Sequence, residues 1–217
     1  MTGELYHFKS AKPQTHFAPS WNFFIYENII DFNFDKVVSI ILKKEKTIVK
    51  KYPPSNNGNT NLGNNSLTSR FPFFNVLKWK EMLFLKKLIK QNYINYLNKI
   101  DLSPEKNIYL QCWANVLRKN EQIKLHEHDT SCFSYLSGNI IVKSKHTNTY
   151  YKNPLDNSTL KSKNREGKLT LFPSYIGHYT DKVNDNEERV SIAFDIRDEK
   201  GFNIDIKDNM KDHWVKL

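Results

Sequence analysis

Seven histidines are spread along this chain of 217 residues, and two of them, His126 and His128, stand two apart in the segment KLHEH. On an extended backbone, side chains at i and i+2 share a face, so the two imidazoles project together while Glu127 turns away. Paired imidazoles at this spacing are what a metal site needs from one strand. A third ligand has to come from elsewhere, and His178 in LFPSYIGHYTDKV offers it, at a point where a strand restarts after a Pro and Gly turn. In a closed double sheet a later strand can lie beside an earlier one, so three imidazoles could share one face of a cation and leave its other face open. Taken singly, a His-x-His pair in a basic protein is more often a pair of surface residues. What shifts the balance is RVSIAF, where Arg189 and Ser191 share one face of the next strand and Val190 and Ile192 the other. A buried Arg beside a hydroxyl is a bidentate clamp for a carboxylate, and a buried charge requires a matching anion.

The elements that must position these side chains fall into two stretches. From about residue 107 the apolar period is two: NIYLQCWANVL is followed by further strand candidates in IKLHEH, CFSYLSGNIIVK, NTYYK, GKLTLFP, GHYTDKV and RVSIAFDI. No helical pattern interrupts them, and Gly, Pro, Asn and Asp punctuate them, which argues for an antiparallel sandwich or barrel. Ahead of them, WNFFIYENII at 21–30 reads as a strand. Asp35 to Lys51 carries Val37, Ile40, Ile41 and Ile48 at helical spacing, ending before Pro53 and Pro54. A second helix is expected over NVLKWKEMLFLKKLIKQNYINYLNKI, its apolar stripe covering one face of the sheet. Between the helices, residues 55–70 hold two Gly and six Asn with no apolar period, so this long loop is either a disordered insertion or a lid that orders around ligand. The expected fold is therefore α+β: a double-stranded β-helix, or cupin-like jelly roll, with N-terminal helices packed on one sheet. It is expected to be a single domain over 1–217, with a helical layer to about residue 100 and the β-helix core at about 105–200.

Composition excludes several alternatives. With 39% hydrophobic residues and 14 Phe and 11 Tyr, the chain can offset the entropy of ordering, which argues against global disorder. The formal charge of +10 comes from lysines scattered through the sequence, with no Arg-rich patch interleaved with aromatics. Nucleic acid is accordingly not the expected partner, and charge alone speaks to solubility and encounter. Cys112 and Cys132 have no paired spacing, so neither a disulfide framework nor a four-cysteine zinc site is expected, and a cytoplasmic location fits. No signal peptide or membrane-spanning run is expected.

Four segments in order, WANVLRKNEQIKLHEH, SYLSGNIIV, GKLTLFPSYIGHYTDKV and ERVSIAFDI, resemble the iron(II)- and 2-oxoglutarate-dependent oxygenases related to the prolyl hydroxylases, especially a group common in marine phages and bacteria. The Gly, Thr and Ser-rich loop before Phe71 resembles the phage-borne members too, so a phage-encoded protein in a host cytoplasm is one setting the resemblance implies. It also implies Fe(II) held by His126, His128 and His178, with 2-oxoglutarate chelating the metal and its far carboxylate on Arg189 and Ser191. Dioxygen would take the remaining position. The cosubstrate would leave as succinate and carbon dioxide, and an unidentified substrate, a small molecule or a peptide with a prolyl or other amino-acid side chain, would be hydroxylated. Asn115 could bond the chelating end of the cosubstrate, Tyr135 could reach the same carboxylate as Arg189, and Thr68 and Arg70 could touch substrate. One departure stands out. The usual first motif is His-x-Asp or His-x-Glu, and here it is His-x-His, with Asp129 one residue out of register as the alternative to His128. The competing reading is a cupin-like metalloprotein that uses three histidines without 2-oxoglutarate. Oligomeric state is not legible in the sequence.

Overall fold

A computed structural model describes residues 3–55, 60, 62–154, 156, 158–184, 186 and 188–217. Two antiparallel sheets face each other. The larger is built from β1 (Glu4–Lys9), β2 (Asn22–Ile29), β7 (Lys168–Pro173), β4 (Leu136–Lys143), β9 (Arg189–Asp198), β3 (Ile108–Leu117) and β10 (Val215–Lys216), in that spatial order. The smaller has the order β6 (Thr159–Lys163), β5 (Asn148–Lys152), β8 (His178–Thr180). Successive strands cross between the sheets in the manner of a jelly roll, so the expected double-stranded β-helix is the observed core.

Helices α1 (Asp35–Lys51) and α2 (Phe84–Lys99) cover the outer face of the larger sheet. Val37, Ile41 and Ile48 of α1 and Leu85, Ile89, Tyr93 and Tyr96 of α2 join one cluster with Leu110, Cys112, Ile140, Ile192 and Phe194 of the strands. The helix α1 has Asp35 in its first turn and Lys50 and Lys51 in its last, matching the helix dipole, and Tyr52 is extended ahead of Pro53. Because the helices bury the sheet's outer face, β9 must sort its residues strictly. Val190, Ile192, Phe194 and Ile196 enter the helix-side core, leaving Arg189, Ser191, Ala193 and Asp195 facing the interior between the sheets.

Several expectations need correction. The second helix begins at Phe84, and residues 68–82 instead make three short 3-10 turns. Asn75 explains much of this: its side chain accepts from the Leu77 N–H and donates to the carbonyls of Leu110 and His213, tying the segment to β3 and the C-terminal region. IKLHEH is not a full strand but a single bridge, His126 opposite His178. Strands β1 and β6 went unread, the latter because TLKSK turns only Ser162 fully inward. The C-terminal stretch forms α3 (Glu199–Asp205), α4 (Asp208–Lys211) and β10, which pairs along β3 and covers the exposed edge of the larger sheet. In the loop at 55–70, residues 56–59 and 61 lie outside the described residues. Its second half is folded, with Leu67, Thr68, Ser69 and Arg70 all buried.

Candidate functional site

His126 and His178 face each other across their bridge, each N–H donating to the other's carbonyl at 3.1 and 3.0 Å. Two residues on, the His128 N–H donates to the Ser174 carbonyl at 3.0 Å, keeping the segment extended and His128 on the His126 side. The ring centroids stand 4.3 Å (His126–His178), 5.2 Å (His126–His128) and 5.0 Å (His128–His178) apart. One nitrogen from each ring falls within 4.8 Å of the other two.

The outer nitrogen of every ring is already engaged. Nδ1 of His126 meets the Lys124 carbonyl at 2.8 Å, Nδ1 of His178 the Ile176 carbonyl at 3.1 Å, and Nδ1 of His128 the Asp195 carboxylate at 2.5 Å. A carbonyl only accepts, so in His126 and His178 the hydrogen sits on Nδ1 and the lone pair on Nε2 is left for a cation. Burial pushes the His126 pKa down to about 4, with the neighbouring His128 adding to the effect, and burial takes His178 well below its ordinary range. Both rings are therefore neutral at pH 7, the state a metal ligand requires.

A pH dependence follows from these shifts. A histidine whose folded pKa lies below its unfolded value contributes stability in full above the unfolded pKa, and loses it as pH falls through the folded pKa, because the unfolded chain binds the extra protons. The metal-free protein should therefore melt at progressively lower temperature as pH is lowered from about 6.5 to about 4. His178→Ala should flatten that slope in thermal melts, and an unchanged slope would contradict the assignment of neutral buried rings.

The imidazoles open onto a cavity of about 180 Å³ whose opposite wall is the interior face of β9 and β3. Arg189 is only 3% exposed, yet its Nε has no hydrogen-bond partner and no ion pair engages it among the described residues. Its NH1 donates to Ser191 Oγ at 3.3 Å, and burial brings its pKa down to about 10. An unpaired buried guanidinium on a cavity wall is a seat for an anion. Beside it, Asn115 lies directly opposite Ser191 across the β3–β9 ladder, and its carbonyl oxygen accepts from Thr68 Oγ1 at 2.6 Å. Trp113, tilted at 49° against Phe71 and 5.5 Å from the His128 ring, lines the same cavity.

The structure thus brings His126, His128, His178, Arg189, Ser191, Asn115 and Thr68 to one cavity. It does not bring Tyr135, Arg70 or Asp129. The Tyr135 hydroxyl points to the helix layer and bonds the Tyr93 hydroxyl at 2.8 Å. Arg70 is spent inside its own loop, donating to the carbonyls of Tyr52, Asn64 and Ser66. Asp129 pairs with Arg197 and accepts from the Ser131 N–H, away from the imidazoles. Sequence reasoning missed Asp195, which holds His128. The signal was available, since stepping by two along β9 from Arg189 and Ser191 leads to Ala193 and Asp195 on the same face. Burial opposes ionisation of Asp195, but the His128 ring and the Ser137 hydroxyl outweigh it and hold the carboxyl below its usual range.

Residues 111–195, which carry this constellation apart from Thr68 and Phe71, match the family described as "Putative 2OG-Fe(II) oxygenase". This stretch is similar to a 2OG-Fe(II) oxygenase core. The likeness supports a 2-oxoglutarate-dependent dioxygenase, and the matched family uses Fe(II), 2-oxoglutarate and O2. Solved structures share the fold of this chain at low identity. A Pseudomonas putida prolyl-4-hydroxylase is 10% identical over 81% of this chain and 92% of its own, with a TM-score of 0.54. The viral collagen prolyl hydroxylase vCPH of Paramecium Bursaria Chlorella virus-1, solved as its 2OG complex, is 13% identical over 80% and 96%, with a TM-score of 0.52. A Trichoplax adhaerens prolyl hydroxylase, in complex with a hypoxia inducible factor peptide fragment, is 14% identical over 83% and 87%, with a TM-score of 0.50. A comparison with curated proteins gave no match. No helix among the described residues is long and apolar enough to cross a membrane.

Proposed function

We propose that this oxygenase hydroxylates a small molecule or a peptide, with a prolyl or other amino-acid side chain as the leading substrate class. His126, His128 and His178 would hold Fe(II) through their inner nitrogens, and Arg189 with Ser191 would bind the distal carboxylate of 2-oxoglutarate. The donor set suits the metal, because three imidazoles on one side leave the remaining positions to cosubstrate and oxygen. When bound, Fe(II) with 2-oxoglutarate and O2 supplies the oxidation that couples loss of carbon dioxide and formation of succinate to insertion of one oxygen atom into a substrate C–H bond.

The residues of this chain do the rest. Arg189 and Ser191 fix the length and direction of the cosubstrate, so that its other end reaches the imidazoles. Asn115, whose carbonyl oxygen is taken by Thr68, keeps its amide N–H groups as donors and would offer one to the chelating end. Trp113 and Phe71 line that part of the cavity with aromatic rings, which would limit water there and strengthen each of these contacts. The prolyl class rests on fold likeness to prolyl hydroxylases. A cytoplasmic setting fits Cys112 and Cys132, which are not crosslinked to each other.

The observation that carries this reading is the buried Arg189 guanidinium, its Nε without a hydrogen-bond partner, sharing one cavity with the three imidazoles. Its test is succinate release by purified protein given Fe(II), 2-oxoglutarate and air without substrate, where slow uncoupled turnover is expected. Metal binding with no succinate and no affinity for 2-oxoglutarate would instead favour the three-histidine metalloprotein.

A further inference from the structure

The superfamily's usual first motif, His-x-Asp or His-x-Glu, has a carboxylate where His128 stands, and this structure has a carboxylate immediately behind that ring. Asp195 Oδ1 lies 2.5 Å from His128 Nδ1 and 2.6 Å from Ser137 Oγ, and Ser137 Oγ lies 2.9 Å from Ser174 Oγ. A carboxylate only accepts, so Ser137 spends its single hydrogen on Asp195 and accepts from Ser174 in turn. Ser137 is fully buried and Ser174 is 3% exposed, so this chain of hydroxyls is rigidly placed. The Ser174 carbonyl meanwhile holds the His128 backbone N–H. Ring and main chain of His128 are thus anchored through the same short network, whereas His126 and His178 rest on backbone carbonyls alone.

We propose that Asp195 is a positioning residue for the metal centre, acting through His128: it sets the inner nitrogen of that ring toward the cation and restores, one residue removed, the negative charge that a ligating carboxylate would provide. The proposal rests on the reading that the three histidines hold the metal. An outer carboxylate on a ligating imidazole fixes its tautomer and orientation and raises its basicity, and such partners are typically worth about 10–100-fold in metal affinity. On this account the His-x-His motif is not a weaker version of His-x-Asp. It relocates the carboxylate to β9, two turns of the pleat beyond the cosubstrate clamp.

Co(II) titration of the otherwise intact protein, followed by calorimetry and by its visible spectrum, tests this without relying on turnover. Asp195→Asn keeps the shape and the acceptor oxygen but removes the charge, and should weaken Co(II) binding by about 10–100-fold with the melting temperature of the metal-free protein unchanged. In a His128→Asp background, where the carboxylate itself faces the metal, the same Asp195→Asn change should cause no such loss. Equal affinity in Asp195→Asn and the native protein would overturn the proposal. So would an equal loss in both backgrounds, because an additive effect marks a role in the fold rather than through His128. Should Asp195→Asn not fold, ¹⁵N NMR of the native metal-free protein decides: a hydrogen on Nδ1 of His128 supports the proposal, and one on Nε2 overturns it. His178→Ala separates the two levels. If it binds Co(II) as the native protein does, the histidine reading falls and takes this inference with it; if it loses Co(II) while Asp195→Asn does not, only the role of Asp195 falls.

Discussion

Arg189→Met is expected to eliminate useful 2-oxoglutarate binding while leaving the protein folded and no less stable. In the ligand-free protein the guanidinium is buried, its Nε unpartnered, and burial has already brought its pKa down to about 10. Such a group is a cost to the fold, and a methionine of similar length that fills the space relieves it. On the proposed reading the balance reverses in the complex, because the distal carboxylate of 2-oxoglutarate would supply the missing anion. Truncating one member of a buried charge pair typically costs about 2–5 kcal/mol, or roughly 30-fold to several-thousand-fold in Kd. Calorimetric titration of 2-oxoglutarate with Mn(II) present checks the affinity, and a thermal melt checks the fold. An unchanged Kd would remove the clamp from the account. A large drop in melting temperature with Kd preserved would make Arg189 a structural residue.

The second large effect is expected from His178→Ala. Its bridge to His126 uses backbone atoms on both sides, so the local pairing survives loss of the ring. The ring offers one of three inner nitrogens, and if it ligates the metal as proposed, its removal should cost more than the ~100-fold upper range for an outer partner. Metal affinity and succinate formation should both fall to background. Asp129→Ala makes the matched comparison, because its carboxylate pairs with Arg197 rather than facing the imidazoles. That variant should keep metal affinity and lose only stability in the turn at 129–134. Metal lost in Asp129→Ala but kept in His128→Ala would assign the second ligand to the aspartate.

How much of this was legible in the sequence depends on whether a local rule decided the outcome. The period of two along β9 put Arg189 and Ser191 on one face, and helix packing on the other face left them nowhere to point except the cavity. The spacing of His126 and His128 held even though the strand around them shrank to a single bridge, since backbone bonds to His178 and Ser174 keep the segment extended. The same rule, carried four residues further, would have found Asp195. Tyr135 shows the limit: it lies between the loop and β4, and the Tyr93 hydroxyl on α2 decides which way it faces, a partner 42 residues away. Arg70 is similar, since only the folded loop shows that nearby carbonyls consume its donors. The start of α2 was misplaced because Asn75 bonds to β3 and to the C-terminal region, and such distant partners override an apolar period.

The most direct measurement is an anaerobic crystal structure with Fe(II) and 2-oxoglutarate, using anomalous scattering at the iron edge to locate the metal. The account predicts iron on the Nε2 atoms of His126, His128 and His178, with the cosubstrate's far carboxylate on Arg189. Iron ligated by Asp129 in place of His128, or a cosubstrate that leaves Arg189 without a partner, would contradict it.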